Sequence, residues 1–262
     1  MALEPSVSLD NIGSSLIITI NRPQQMNCID GDAASIIARA VDRAEVDASV
    51  RSIIVTGSGP KAFCTGMDLK YAQEHGIDSV VLPGRGLAGL ARYEGQKPII
   101  AAVNGYAVGG GFEIALNADI IIASNNALFG LPEAKIGMLA TGGSLVKFPE
   151  FISRAMAMEL ALTCVNIDAA KALQLGMINA VVDPDELIPT ALDYAAKIAA
   201  CGPEAIKNAK QLIRYSYSHT REIVWDLNDN LAEITSVSEE GKEGILSFIE
   251  KRKPSWAVEQ NG

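Results

Sequence analysis

The chain has 262 residues, with 22 Lys and Arg against 31 Asp and Glu. The net charge of −9 excludes the basic surface that nucleic-acid binding draws on. A composition of 48% hydrophobic and 20% charged residues is that of a folded globular chain rather than a disordered one. The only histidines, His75 and His219, give an imidazole relay or a His-based metal site little to be built from, so other groups are expected to move protons. Cys28, Cys64, Cys164 and Cys201 form no C-x-x-C pair or metal knuckle and are expected to be four buried or half-buried thiols in a reducing compartment. The first ten residues show neither the basic nor the apolar region of a secretion signal. Apolar runs such as Leu16–Ile20 and Ile99–Val103 fall far short of the ~20 residues of a membrane-spanning helix. A cytoplasmic protein is expected, with no membrane or nucleic-acid partner.

In chain order, Ser15–Ile20 reads as an apolar, β-branched strand ended by Pro23. Asp30 to about Glu45 reads as a helix capped by Asp30 or Asp32, with apolar residues at Ile36, Ile37, Ala40, Val41 and Ala44. Val50–Thr56 is a second strand and Leu69–Glu74 a short helix. Residues 77–96, rich in Gly and Pro, read as an irregular, mobile or broken segment. Pro98–Asn104 is a third strand, Phe112–Asn117 a helix, Asp119–Ala123 a fourth strand and Ala127–Gly130 a short fifth. Apolar strands alternating with helices predict an α/β fold with a largely parallel sheet. Beyond about residue 150 the pattern turns helical: Ser153–Leu162, Ile167–Leu175 closed by Gly176, a short edge strand at Asn179–Val182, then Glu186–Ala200, Pro203–Ser218, Thr220–Ser236 and Glu239–Glu250.

The P-loop, zinc-protease and nucleophile-elbow fingerprints are missing from the sequence, and no G-x-G-x-x-G follows a strand as a dinucleotide fingerprint would. The most informative stretch is Asn104–Glu113, NGYAVGGGFE. Three consecutive glycines between a strand and a helix carry a large entropy cost unless the backbone must approach another body or present bare N–H groups to an anion. An oxyanion forming on a substrate carbonyl is one such anion. Glu113 lies in the first turn after them, where it either complements the helix dipole or does chemistry. Glu133 follows Pro132 in an otherwise apolar segment; it either starts a helix or is desolvated with a raised pKa. Strand, Gly turn, helix, strand and second turn would return residue 133 towards residue 113, and two carboxylates can hold one water, one taking a proton while the other gives one. The third stretch, Lys61–Lys70, is a loop entering a helix, with free N–H groups and two lysines able to meet phosphates.

These stretches, in this order and spacing, resemble the crotonase family, the enoyl-CoA hydratase/isomerase superfamily. The matching pieces are Asn21-Arg22-Pro23, KAFCTGMDLK at 61–70, KPIIAAVNGYAVGGGFE at 97–113, ADIIIA at 118–123, FGLPEAKIG at 129–137, ALQLGMINAVV at 172–182 and FIEKRKPSW at 248–256. The resemblance runs from about residue 5 to residue 256.

It implies the family's α/β fold, a crotonase-like spiral of ββα units over 1–195 followed by a C-terminal helical trimerisation region over 196–262. It further implies a homotrimer or dimer of trimers, and an acyl-coenzyme A thioester as ligand with no metal and no cofactor beyond the coenzyme A moiety. By motif position, the thioester oxygen would lie in an oxyanion hole made by the amides of Met67 and Gly110. Lys61, Ala62, Cys64, Thr65, Asp68, Leu69 and Lys70 would surround the coenzyme A, with Lys61 and Lys70 near the nucleotide. Gly109, Leu131, Pro132 and Thr141 would complete the substrate contacts, and a basic residue of the Lys251–Lys253 cluster would reach the nucleotide.

Glu113 and Glu133 fall on the two glutamate positions of the family's hydratases. Retention of both favours reversible hydration of a 2-enoyl-CoA to a 3-hydroxyacyl-CoA: Glu113 activates water for attack at Cβ and Glu133 delivers a proton to Cα. The alternatives are a Δ3,Δ2-enoyl-CoA isomerase, a carnitinyl-CoA dehydratase-like enzyme or, in a different class, a non-catalytic acyl-CoA-binding or scaffold protein. One departure stands out. After Gly137, Met-Leu-Ala-Thr-Gly-Gly-Ser is about one residue shorter than the usual Pro- and Gly-rich run, and Ser144-Leu-Val-Lys replaces a Thr-Gln-Arg-Leu type of sequence.

Overall fold

The computed structural model describes residues 5–257. Residues 1–4, part of the stretch read for a secretion signal, and residues 258–262, the end of the C-terminal region, lie outside the described residues. In chain order the elements are β1 (Val7–Ile12), β2 (Ser15–Ile20), α1 (Gly31–Val46), β3 (Ser52–Gly57), β4 (Ala62–Cys64), α2 (Leu69–His75), β5 (Val81–Leu82) and β6 (Gly86–Leu87). There follow β7 (Ile99–Val103), β8 (Tyr106–Val108), α3 (Gly110–Asn117), β9 (Ile120–Ser124), β10 (Leu128–Gly130), α4 (Ser144–Phe151), α5 (Arg154–Thr163) and β11 (Ile167–Asp168). The last are α6 (Ala169–Gln174), β12 (Ala180–Val182), α7 (Leu187–Ala199), α8 (Pro203–Ser218), α9 (Arg221–Val237) and α10 (Glu239–Glu250).

The larger sheet has the order β1-β2-β3-β7-β9-β12 and is parallel except for the β1–β2 hairpin. Its apolar strands alternate between two buried faces. Ile54, Ile100, Ala102 and Ile122 point to one, which α7 covers with Leu187, Ala191 and Ala195. Ile53, Val55, Ala101 and Val103 point to the other, which packs against the main core with α1 and α3. The start of α1 is fixed by Asp30, whose Oδ1 accepts from the Ala33 amide at 2.9 Å. No described helix is long and apolar enough to cross a membrane.

After β7 the chain passes through Asn104-Gly105 into a second, four-stranded sheet, β11-β10-β8-β4. Within it β4, β8 and β10 run parallel, Cys64 and Phe129 both opposite Ala107 and Gly130 opposite Val108. Their carboxyl ends therefore emerge side by side. Phe112 of α3 packs on Phe129 of β10 at 5.4 Å and on Phe148 of α4 at 5.9 Å between ring centroids, locking these elements together.

Several expectations need correction. Residues 77–96 hold a 3-10 turn (Ile77–Ser79) and the β5–β6 hairpin, packed through Val80, Leu87, Leu90 and Ala91 rather than loose. Glu45 ties the end of this segment down, accepting from the Tyr93 hydroxyl at 2.8 Å and the Gln96 amide at 2.6 Å. The expected helix 167–175 begins as β11, because Asp168 caps the Lys171 amide at 2.8 Å and frees the two residues up to it to pair with β10. Helix α3 starts at Gly110, two residues before the expected Phe112. Cys64 and Cys164 are buried and Cys28 half-buried, but Cys201, just past the end of α7, is exposed.

Candidate active site

Three chain segments meet at the shared carboxyl edge of β4, β8 and β10: Thr65-Gly66-Met67, Gly109–Glu113 and Leu131-Pro132-Glu133. Gly109 is bound into this edge by its amide, which donates to the Gly130 carbonyl at 2.9 Å. The edge of a parallel sheet is where such folds commonly hold ligands.

Two main-chain amides at this edge are left outside strand and helix pairing. Met67 forms a parallel bridge with Ile29: the Gly66 carbonyl accepts from Ile29 at 2.8 Å and the Asp68 amide donates to Ile29 at 2.8 Å. That pattern turns the Met67 N–H to the opposite side. Gly110 opens α3, so its amide is one of the helix's unpaired first donors. The two loops touch: a Cβ on Gly66 would lie 2.9 Å from the Gly110 nitrogen, and Gly66 sits at φ +89°, where side chains are disfavoured.

Glu113 projects from the first turn of α3 and is 5% exposed. Its Oε1 accepts from the Ser144 hydroxyl at 3.0 Å and the Ser144 amide at 3.3 Å. Gly142 closes over the other oxygen so tightly that a Cβ there would stand 2.2 Å from Oε2. Burial pushes the Glu113 carboxyl above its ordinary range, opposed by hydrogen bonds from Ser144 and the amides of Gly142 and Gly143. Glu133 opens a 3-10 turn (Glu133–Ile136) capped by Gly137. Its Oε1 lies 3.2 Å from where a Cβ on Gly109 would be, and its Oε2 is buried with no hydrogen-bond partner. Burial raises its pKa also, helped by the nearby Glu113 charge and opposed by its own backbone amide. The two carboxyls thus feel each other's charge but differ in environment: donors favour charge on Glu113, and their lack favours a proton on Glu133.

A sequence profile described as enoyl-CoA hydratase/isomerase matches residues 12–259. The chain belongs to the enoyl-CoA hydratase/isomerase family. It is 38% identical over 259 residues to a carnitinyl-CoA dehydratase of Proteus mirabilis, covering 97% of this chain and 99% of that protein. To a mevalonyl-coenzyme A hydratase of Aspergillus fumigatus it is 36% identical over 245 residues, 92% and 90% of the two chains. The crystal structure of enoyl-CoA hydratase EchA1 from Mycobacterium marinum superposes with a TM-score of 0.92 at 40% identity, over 97% of this chain and 99% of that one. The α/β fold implied by the sequence resemblance is therefore the fold of this enoyl-CoA hydratase/isomerase family member.

The remaining site residues expected from sequence divide by their surroundings. Lys61, Leu69 and Lys70 are exposed around the loop, and Thr141 is exposed beyond Glu133. Ala62 and Cys64 point their side chains into the core, so only their main chain can meet a ligand. The Ala62 carbonyl is itself engaged by Asn27 at 2.6 Å and Asn104 at 3.1 Å. Thr65 donates to the Met26 carbonyl at 3.1 Å. The Asp68 carboxylate caps α2 through the Tyr71 amide at 3.2 Å and pairs with Arg22 at 2.9 Å, which holds it below the usual carboxylate range despite partial burial. Leu131 is buried and Pro132 half-buried beside Glu133. In the C-terminal basic cluster Arg252 is occupied by Glu243 at 2.7 Å and Glu250 at 2.6 Å, leaving Lys251 and Lys253 exposed. Among the described residues no group of three or more His, Cys, Asp or Glu side chains is arranged to hold a metal ion. Sequence reasoning missed Ser144, Gly142 and Leu87, whose side chain packs where a Cβ on Gly110 would stand. Only the unusual wording after Gly137 gave a signal for the first two.

Proposed function

We propose that the protein adds water reversibly across the double bond of a 2-enoyl-CoA thioester, giving a 3-hydroxyacyl-CoA. The observation that carries this reading is the unlike setting of two neighbouring glutamates: Glu113 with its ring of donors, Glu133 with a buried oxygen that nothing among the described residues satisfies. The thioester oxygen rests on the amides of Met67 and Gly110, which draw electron density from the double bond and make Cβ electrophilic. Glu113, ionised, takes a proton from water while the water oxygen bonds to Cβ. The electron pair of the double bond moves to the enolate, and Glu133 places its proton on Cα. One water is consumed; a proton returned from Glu113 to Glu133 through solvent resets the site. Each amide donor contributes roughly 3–4 kcal/mol to stabilising the developing oxyanion. Dehydration is the same path reversed, in keeping with the carnitinyl-CoA dehydratase among the relatives.

Coenzyme A is read as lying across the 61–70 loop, supported by the exposed Lys61 and Lys70. Self-association is supported by exposed apolar side chains along the last helices, among them Tyr217, Trp225, Val237 and Phe248.

The deciding experiment follows loss of the enoyl thioester absorbance with crotonyl-CoA and short homologues, with oxygen-18 water as solvent. Label in the product and a fall of about 10²-fold or more in kcat for both Glu113→Gln and Glu133→Gln are expected. Full activity in both variants, or product without label, refutes the reading.

A further inference from the structure

A cavity of about 770 Å³ is lined among others by Arg85, Arg92, Asn117, Thr141, Gly143 and Lys147. The 141–144 loop lies between it and Glu113, Thr141 and Gly143 lining the cavity while Gly142 and Ser144 touch the carboxylate. Gly142 presses on the Glu113 carboxylate, while a Cβ on the next residue, Gly143, would stand 3.9 Å from both Lys147 Cε and Arg92 Cγ. Asn117 lies one turn below Glu113 on α3, about 6 Å along the helix axis. Its carbonyl oxygen accepts from the Lys147 ammonium, while its amide nitrogen is fixed by the carbonyls of Leu90 at 2.7 Å and Tyr93 at 2.8 Å. Lys147 is thus held at a set distance from the reacting end of the pocket.

The polar lining is cationic and under-used. Among the described residues Lys147 makes no ion pair and uses one of its three N–H donors, to Asn117. The Arg92 guanidinium has no hydrogen-bond or ion-pair partner among the described residues. Arg85 is anchored by Asp42 at 2.6 Å, by the Gly89 carbonyl at 3.2 Å and by the Tyr93 ring at 4.6 Å, yet its Nη2 is enclosed with no partner. Glu94 is the one carboxylate in the lining, and it is exposed. Burial pulls Lys147 down to about 8, opposed by Glu150, Glu94 and Asp119; an ammonium held in this way is relieved by an arriving anion.

We propose that this cavity seats a carboxylate at the far end of the acyl chain, so that the preferred substrate is an ω-carboxyacyl, 2-unsaturated CoA thioester. This rests on the acyl-CoA reading above and goes further by assigning the acyl group's charge. Anionic acyl ends meet three cationic donors; cationic ends, such as a trimethylammonium, meet repulsion.

The test uses saturated ligands, which bind without reacting. Calorimetry of the intact protein compares adipoyl-CoA with hexanoyl-CoA, equal in length and differing in the terminal carboxylate. Adipoyl-CoA is expected to bind at least tenfold more tightly, and that ratio is expected to collapse in Arg92→Gln and in Lys147→Met, each judged by its own ratio so that a general loss of affinity does not mislead. Equal binding of the two ligands, an undiminished ratio in both variants, or tighter binding of a trimethylammonio-acyl-CoA overturns the proposal. Hydration of 2-hexenoyl-CoA, measured in parallel, separates the two readings: turnover without carboxylate preference sinks only this inference. If no acyl-CoA binds, both fall.

Discussion

Replacing Gly66 by Ala isolates the contribution of the two amides. The residue sits at φ +89°, so any side chain meets the left-handed penalty of about 1–2 kcal/mol. The new Cβ would also lie 2.9 Å from the Gly110 nitrogen, 3.5 Å from its Cα and 3.6 Å from the Val108 carbonyl oxygen. All three contacts are main chain, so no flexible side chain can yield. Either the Met67 amide or the Gly110 amide must move, and misplacing one oxyanion donor costs about 3–4 kcal/mol, a fall of roughly 10²–10³ in kcat. Gly13→Ala is the control. Gly13 is also left-handed, at φ +56°, but a Cβ there meets nothing within 4 Å and lies in the β1–β2 turn. Both variants should melt a few degrees lower, and only Gly66→Ala should lose kcat, read with the best 2-enoyl-CoA at saturation. If Gly66→Ala keeps its kcat, or Gly13→Ala loses as much, the amides of Met67 and Gly110 do not form the oxyanion site.

Three further outcomes follow from the same contacts. Ser144→Ala removes a donor that favours the ionised form of Glu113, so its pKa rises and the acid limb of the kcat/KM profile moves to higher pH; an unmoved or lowered limb contradicts Glu113 as the base. Burial holds the Glu133 pKa above its unfolded value, so ionisation weakens the fold at neutral pH and that penalty vanishes below the unfolded pKa. Glu133→Gln should accordingly melt higher than the parent near neutral pH, with the gap closing on acidification; a gap that widens in acid contradicts this. Asp119→Ala strands Lys210, whose side chain is 8% exposed and paired at 2.6 Å. Because Asp119 is itself partly open, the low end of the range for a broken buried pair applies, about 3 kcal/mol, and the melting temperature should drop by roughly 6–12 °C; a drop of a degree or less would show that the pair is solvated.

The strands of the large sheet were legible because β2, β3, β7 and β9 are apolar runs bounded by turn residues, and α1 because Asp30 marks its start. β1, β4, β5, β6, β8 and β11 were not. β1 is a mostly exposed edge with Asp10 and Asn11 inside it, and β4 and β8 are three residues each, too short for any period to show. Helix α4 was hidden by Pro149 within it. At the site, the glycine run and the Pro-Glu step singled out Glu113 and Glu133 one at a time. The order of elements between them already predicted that residue 133 returns towards residue 113, while the register of β8 with β10 that aligns the two segments is encoded by no local pattern. The partners of Glu113 were less visible still, because Gly142 and Ser144 act through loop geometry set by the packing of Phe148 on Phe112.

The two glutamates are mounted very differently. Glu113 is buried in α3, whose first turn also opens with the Gly110 amide, so that residue, that helix and that donor stand or fall together. Glu133 rides on a four-residue turn containing no buried residue. Substitutions at the second position can therefore explore new proton chemistry while the scaffold and the polarising amides stay intact. A lineage built on this frame is free to diversify its reactions through one exchangeable side chain.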